Sequence, residues 1–410
     1  MNYAERNAPY WKRNLVVCVF GSFTTLVSLS MLLPFLPLYV QQLGAKSADD
    51  VMRWSAIAFG ATFFGTAITA PVWGRLADRY GRKPMLIRAA VGMAIVMSLI
   101  GLARGITDLV VLRLLAGLVG GYASASTVMI GTQAPRQRAG WALGVLSTGA
   151  LAGSLVGPLV GGFLPGLVGI RGTFFVGGGI IAVAALATIF LIREDFDVQS
   201  HRSSTATRAA GSPRSINNLY IWTLLTTAMM VLLSNMSIEP IITIYVGELG
   251  VHHDKLAQSA GIIMACSALG SILAAPRLGA MADRVGSRPV IIACLVATSL
   301  VLVPQAFVKE WWQLAVLRGI MGATLAGLLP SVAKLIRQSV NEGDSGSALG
   351  YLQSAQFSGQ VIGPLLGGAI GVHMGLPHVF FVTSALLLLC ALLNYWSERR
   401  GKADVVRPAR

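Results

Sequence analysis

Apolar positions fall into twelve stretches, at 14–40, 54–75, 85–103, 108–132, 140–163, 172–192, 219–246, 257–280, 289–307, 311–336, 346–372 and 378–397. About 20 apolar residues cross the hydrocarbon core of a bilayer as a helix, so each stretch predicts one span. The polar loops between them are short, with one exception. Residues 193–218 are polar, contain His201-Arg-Ser-Ser-Thr and Gly211-Ser-Pro, and read as a flexible linker. The chain divides into a six-span bundle over 1–192, a linker over 193–218 and a six-span bundle over 219–410. The expected fold is an all-α polytopic membrane protein, with twelve transmembrane helices in two pseudo-symmetric six-helix bundles.

The pseudo-symmetry comes from an internal repeat. Pro71-Val-Trp-Gly-Arg-Leu-Ala-Asp-Arg-Tyr-Gly-Arg-Lys-Pro84 pairs with Pro276-Arg-Leu-Gly-Ala-Met-Ala-Asp-Arg-Val-Gly-Ser-Arg-Pro289, 205 residues on. Leu112, Arg113 and Gly117 pair with Leu317, Arg318 and Gly322 at the same offset. With one residue more, Gly157-Pro158 pairs with Gly363-Pro364, and Pro34, Tyr39 and Gly44 pair with Pro240, Tyr245 and Gly250. Chance glycines do not keep Gly, Asp, Arg, Gly and Pro in one register, so the halves are a duplication.

Composition supports the membrane reading. Of 410 residues 54% are hydrophobic and 12% charged, where a soluble domain carries roughly 25% charged. Mean hydropathy is +0.68. A cytosolic enzyme, a secreted disulfide scaffold and a disordered chain are excluded. The net charge of +15 would suggest nucleic acid in a soluble protein, but its placement argues for topology instead. Alternate loops and both termini hold 24 of the 32 Lys and Arg, and the opposite loops hold six. The positive-inside rule then puts both termini in the cytoplasm. The first apolar run is too long for a signal-peptide core and stays as a span. Cys18, Cys266, Cys294 and Cys390 lie inside apolar runs without metal-ligand spacing and read as packing residues.

Three groups of residues carry candidate chemistry. The first is the loop between spans 2 and 3, with Gly74, Asp78, Arg79, Gly81 and Arg82. Gly81 permits a tight turn, and Asp78 at a helix end can meet neighbouring arginines or a helix N-terminus. Asp283 and Arg284 repeat the arrangement. The group reads as a conformational latch, or more plainly as an arginine-rich anchor. The second is a glycine ladder: Gly149, Gly153, Gly157 and Gly161 on span 5, and Gly359, Gly363, Gly367 and Gly371 on span 11. Small residues four apart let helices approach closely, while Pro158 and Pro364 favour bends. Sliding and static packing both fit. The third is charge within the apolar runs. Arg113, Arg318 and Glu239 lie at similar depth, and an ionised group there faces a cavity or a partner. Glu239 is the default protonatable site, since a carboxylate alternating between apolar burial and arginine pairing can carry a proton. A place near the surface, or a fixed ion pair, is the alternative.

Polar and flexible side chains that suit a lining for amphiphilic ligands are Met31, Phe35, Tyr122, Asn235, Gln353, Gln356 and Gln360, with ordinary helix packing as the alternative for each. No phosphate-binding G-x-x-x-x-G-K-[ST] loop, H-E-x-x-H or C-x-x-C occurs. No metal or other cofactor is therefore expected, and an ion gradient is left as the energy source.

These residues resemble the major facilitator superfamily. The Gly74 to Lys83 loop is similar to its signature between helices 2 and 3, Arg113 with Gly117 to its helix-4 motif, and Gly153 to Gly162 to the helix-5 motif associated with antiporters. Trp11-Lys-Arg-Asn-Leu15, Leu33-Pro-Phe-Leu-Pro-Leu-Tyr-Val40, Gly140-Trp-Ala-Leu-Gly144 and Leu146-Ser-Thr-Gly149 resemble the drug–proton antiporters among the multidrug efflux proteins of bacterial inner membranes. The resemblance covers nearly the whole chain. It implies two bundles rocking about a central cavity, and export of antibiotics or bile-salt-like amphiphiles against a proton gradient. The roles of Asp78, Arg79 and Arg113 follow by position, whereas Glu239 belongs to no signature of the family.

The expected function is secondary active efflux of amphiphilic small molecules by proton antiport, from a monomer in the bacterial inner membrane. The partners are substrates, protons and the lipid bilayer, not nucleic acid. Two rivals stand beside it: a facilitator or uptake symporter for a small metabolite, and a transport-inactive receptor of the same fold. Enzymatic activity is not expected.

Overall fold

The computed structural model describes residues 10–135, 137–195, 219–340 and 345–406. The expected linker lies outside the described residues from residue 196 to its end. Helices account for the architecture, and no strand occurs among the described residues. Among the described residues, ten helices are long and apolar enough to cross a membrane. One of them, Ala139–Leu191, is two helices meeting at Gly169, whose φ of 76° a side chain would strain. It supplies spans 5 and 6, so helix continues where the sequence suggests a loop. Span 11 is Ser345–Met374, outside that set of ten.

Four spans are broken, and the breaks obey the repeat. Span 1 runs Trp11–Ser30, unwinds, and resumes as Leu36–Gln42. Span 7 runs Leu219–Ile238, tightens to a 3-10 turn at Glu239–Ile241, and resumes as Ile242–Glu248. Pro34 and Pro240 sit at these breaks, where a missing N–H interrupts the helical ladder. Span 4 breaks at Gly120-Gly121 between Ile106–Val119 and Tyr122–Gln133. Span 10 breaks at Ala326-Gly327, between Trp311–Leu325 and Leu328–Ser339.

Contacts divide the chain into two compact units, Met1–Ala210 with His252–Ala265, and Gly211–Val251 with Cys266–Arg410. The first turns of the helix Leu256–Val285 thus group with unit 1, although the repeat assigns the whole helix to the second half.

Each unit builds its packing from the same contacts. In unit 1 a side chain at Gly153, Gly157 or Gly161 would run into the carbonyls of Phe23, Val27 and Met31 on span 1. In unit 2, Gly359, Gly363 and Gly367 stand in that relation to Met229, Leu233 and Ser237 on span 7. The ladders are therefore the surfaces on which spans 5 and 11 lie against spans 1 and 7. Spans 2 and 4 meet where Gly117 abuts the Thr62 carbonyl, and spans 8 and 10 where Gly322 abuts that of Ser267. Tyr39 donates to the Ile100 carbonyl at 2.6 Å, and Tyr245 to that of Gln305 at 3.0 Å. The ring of Phe174 packs on Tyr39 and that of Phe380 on Tyr245.

One polar cluster lacks a signature in the sequence. Asn14, buried at the start of span 1, donates to Gln133 at 2.8 Å and to the Arg193 carbonyl at 2.7 Å, and accepts from the Arg193 N–H at 3.1 Å. It ties together the ends of spans 1, 4 and 6. Asn14→Leu should cost about 1–3 kcal/mol, since buried polar groups lose their partner. Thermal melting of the purified protein should fall accordingly, and an unchanged midpoint would show the cluster to be ornamental.

Candidate functional site

Gly81 ends span 2 with φ 94° and ψ 169°, and Gly286 ends span 8 with φ 96° and ψ 150°. That region is open chiefly to glycine, so both turns need the residue that repeats. Asp78 pairs with Arg82, four residues on and across the Gly81 turn, at 2.5 Å. Arg79 lies over the Tyr80 ring, and a side chain at Gly74 would meet nothing. In unit 2 Asp283 pairs with Lys334 of span 10, at 2.5 Å, rather than with an arginine of its own loop, and Arg284 is exposed. The two acids thus bind differently: Asp78 within its own turn, Asp283 across to a neighbouring span. Glu194 adds a contact that the sequence reading missed. Its carboxylate accepts from the backbone N–H groups of Arg82 and Lys83, at 3.0 and 2.6 Å, and so caps the start of span 3.

The buried charges differ in the same way. Arg113 is 3% exposed. Its Nε donates to the Ala58 carbonyl at 3.4 Å, its guanidinium lies 5.7 Å from the Phe59 ring centroid, and Nη1 is buried without a hydrogen-bond partner. Arg318 is 1% exposed, with Nη1 on the Met321 sulfur at 3.3 Å and Nε unpartnered. Unlike Arg113, it has an acid to answer it: Glu239 and Arg318 each act electrostatically on the other. They close no ion pair within 4.0 Å. Glu239 Oε1 accepts from Asn235 Nδ2 at 2.7 Å, and Oε2 is buried without a partner. The position matching Glu239 in the first half is Leu33.

Glu239 is placed by its backbone. It opens the 3-10 turn of span 7, directly before Pro240. A helix interrupted at membrane depth lines a site in many carriers, because freed backbone groups and side chains can then serve a ligand. The arrangement is an acid, an amide and a buried guanidinium held apart from a closed pair. Such a group can take up or release a proton without first breaking a salt bridge.

The candidate lining residues separate into two sets. Met31, Phe35 and Tyr122, expected on a cavity wall, are instead core residues of unit 1. Met31 reaches Gly177, Phe35 meets Phe174 edge-on at 5.4 Å, and Tyr122 sits over Gly21 with its hydroxyl 2.8 Å from Thr188. The break in span 1 turns the first two inward, and Gly21 leaves room for the third. Gln353 is exposed, and Gln356, Gln360 and Asn235 are half-buried. Among the described residues no group of three His, Cys, Asp or Glu could hold a metal.

Residues 18–260 and 224–409 match the family model described as Major Facilitator Superfamily. Multidrug resistance protein MdtG of Salmonella paratyphi C (strain RKS4594) is 41% identical over 399 residues, covering 96% of this chain and 98% of its own. MdtG of Proteus mirabilis (strain HI4320) is 38% identical over 399 residues, covering 97% and 99%. In a crystal structure, a bacterial homolog of the human lysosomal transporter Spinster, inward-facing and occupied, aligns with a TM-score of 0.78 at 15% identity, over 98% of this chain and 99% of that one. The nucleoside transporter NupG aligns with a TM-score of 0.72 at 13% identity, over 94% and 99%. Those two structures speak for the fold alone.

Proposed function

Because the chain belongs to the Major Facilitator Superfamily, we propose that it is a multidrug exporter, driving amphiphilic compounds out across the bacterial inner membrane in exchange for protons. The observation that carries the export reading is identity of 38–41% with MdtG proteins over nearly the full length of both chains. Support for proton coupling is separate and lies in unit 2. Glu239 is an acid at a broken helix, with one oxygen on Asn235, one oxygen unpartnered, and Arg318 close enough to act on its charge. Protonation removes the attraction between Glu239 and Arg318, and deprotonation restores it. A two-state carrier that exposes Glu239 to opposite sides in turn would thereby couple proton entry to substrate exit. In this reading the protein works as a monomer with both termini in the cytoplasm, and needs no cofactor.

Everted membrane vesicles test it. With a pH gradient imposed, adding an amphiphilic cationic dye should dissipate the gradient in vesicles carrying the chain and not in control vesicles. If a panel of amphiphiles crosses the membrane through this chain yet never discharges the gradient, the protein is a facilitator. If none crosses, the exporter reading fails.

A further inference from the structure

Unit 2 contains a cavity of about 700 Å³ between spans 8, 9 and 10. The internal repeat shows what should fill it. In unit 1 the equivalent place is solid: Arg88 lies 3.6 Å above the Trp73 ring and donates to the carbonyls of Val119 and Gly120 at 3.0 and 3.2 Å, while Trp73 donates to the Leu118 carbonyl at 2.8 Å. At the 205-residue offset Trp73 becomes Leu278, Arg88 becomes Ala293, Leu114 becomes Gly319 and Leu118 becomes Ala323. All four replacements are smaller, and all four line the cavity. Packing does not demand the glycine at 319, since an added Cβ would meet only Cys266, its carbonyl oxygen at 3.5 Å and its Cβ at 3.9 Å, both ordinary contacts. The second half is thus hollowed at one place where the first half is filled.

The chemistry of the hollow selects its occupant. Its walls are apolar apart from Arg277, which stands where the first half has Val72. The Thr324 hydroxyl is already engaged, accepting from Thr298 and donating to the Met321 carbonyl. Cys294 is buried at 5% exposure. The rim is open and apolar, with Leu273 58% and Val316 55% exposed. A ligand must therefore be apolar along its length and anionic at one end. Arg277 sits on an exposed helix face, two turns before the end of span 8 on the arginine-rich side of the chain. Its guanidinium donates to the Leu273 carbonyl at 3.1 Å along its own helix, and a change of rotamer would carry it towards the headgroup level while its stem covers the groove.

We infer that this groove holds one chain of an anionic phospholipid, with the phosphate on Arg277. Basic positions between spanning helices on the cytoplasmic side are suited to anionic headgroups, and cavities of this size and apolarity hold small ligands. The occupied groove stiffens the packing of spans 8, 9 and 10, which carry Asp283, Lys334 and Arg318.

The test reads lipid, not transport, so its outcome is independent of the exporter reading. The full-length protein is reconstituted in vesicles of phosphatidylethanolamine and phosphatidylglycerol, re-extracted in mild detergent, and its retained lipid measured by native mass spectrometry. Wild type should retain phosphatidylglycerol in preference to phosphatidylethanolamine. Arg277→Gln, a change at an exposed position, should reduce that preference about five-fold, the factor one arginine supplies near an anionic surface. Gly319→Leu with Ala323→Leu, which restores the first half's residues, should expel lipid of both kinds. Three results overturn the inference: no retained lipid, equal retention of the two headgroups by wild type, or displacement of the lipid by an exported amphiphile, which makes the groove a substrate site. If the double variant does not fold, Arg277→Gln decides alone.

Discussion

Glu239→Gln should reduce gradient-driven accumulation of substrate by about ten-fold or more, a coupling loss of roughly 1.4 kcal/mol, while downhill exchange continues near the wild-type rate. Glutamine keeps the shape of the side chain and an oxygen for Asn235, whose Nδ2 now bonds Oε1 at 2.7 Å. It cannot ionise, so it removes the one charge that answers Arg318 from span 7. The 3-10 turn before Pro240 depends on backbone and proline, not on the carboxylate, and the fold should survive. Both modes are measured in the same proteoliposomes, with and without a pH gradient. Equal loss of both, at normal protein levels, would remove Glu239 from the coupling step and leave it a structural acid. Selective loss of uphill movement would also explain the asymmetry between the units. Arg113 has Leu33 where Arg318 has Glu239, so only one of two otherwise matched arginines would take part in proton exchange.

Much of this arrangement is legible in the sequence. Span number, the repeat offsets and the positive-φ glycines at 81 and 286 follow from apolar runs and from residues whose backbone needs are local. The glycine ladders also announce a close helix contact, though not the partner: that Gly161 meets Met31 depends on three-dimensional packing. Lining residues are harder to identify. Met31, Phe35 and Tyr122 have the chemistry of a drug-binding wall, yet period alone cannot tell which way a broken span turns its side chains, and these three turn inward. Asn14 and Glu194 were missed because each joins elements far apart in sequence, and the Trp73–Arg88 stack because it depends on which faces two consecutive spans turn to each other. The hollow in unit 2 has a sequence signal after all. Four reductions in size at one spatial locus appear once the halves are aligned, but only the structure shows that the four positions are neighbours.

Gly161→Ala should be severely destabilising, although a glycine-to-alanine change inside a helix ordinarily helps. An alanine stiffens the unfolded chain and favours helix by roughly 0.5–1 kcal/mol. Gly144, on the same helix, is exposed and an added methyl there would touch nothing, so Gly144→Ala should hold or slightly raise the melting temperature. At Gly161 the added methyl would coincide with the Met31 carbonyl. The obstacle is backbone, which cannot swing aside as a side chain can. Relief requires spans 1 and 5 to separate along the ladder, and a contact forced apart in this way costs about 1–3 kcal/mol or more. Gly367→Ala should behave alike, because it meets the Ser237 carbonyl in the second unit. Melting of detergent-purified protein, followed by tryptophan fluorescence, compares the three. If Gly161→Ala and Gly367→Ala melt with the wild type, spans 1 and 5 and spans 7 and 11 do not lie as close as the ladders require. The glycines would then serve mobility between transport states, and an export assay on the folded variants would show the defect instead.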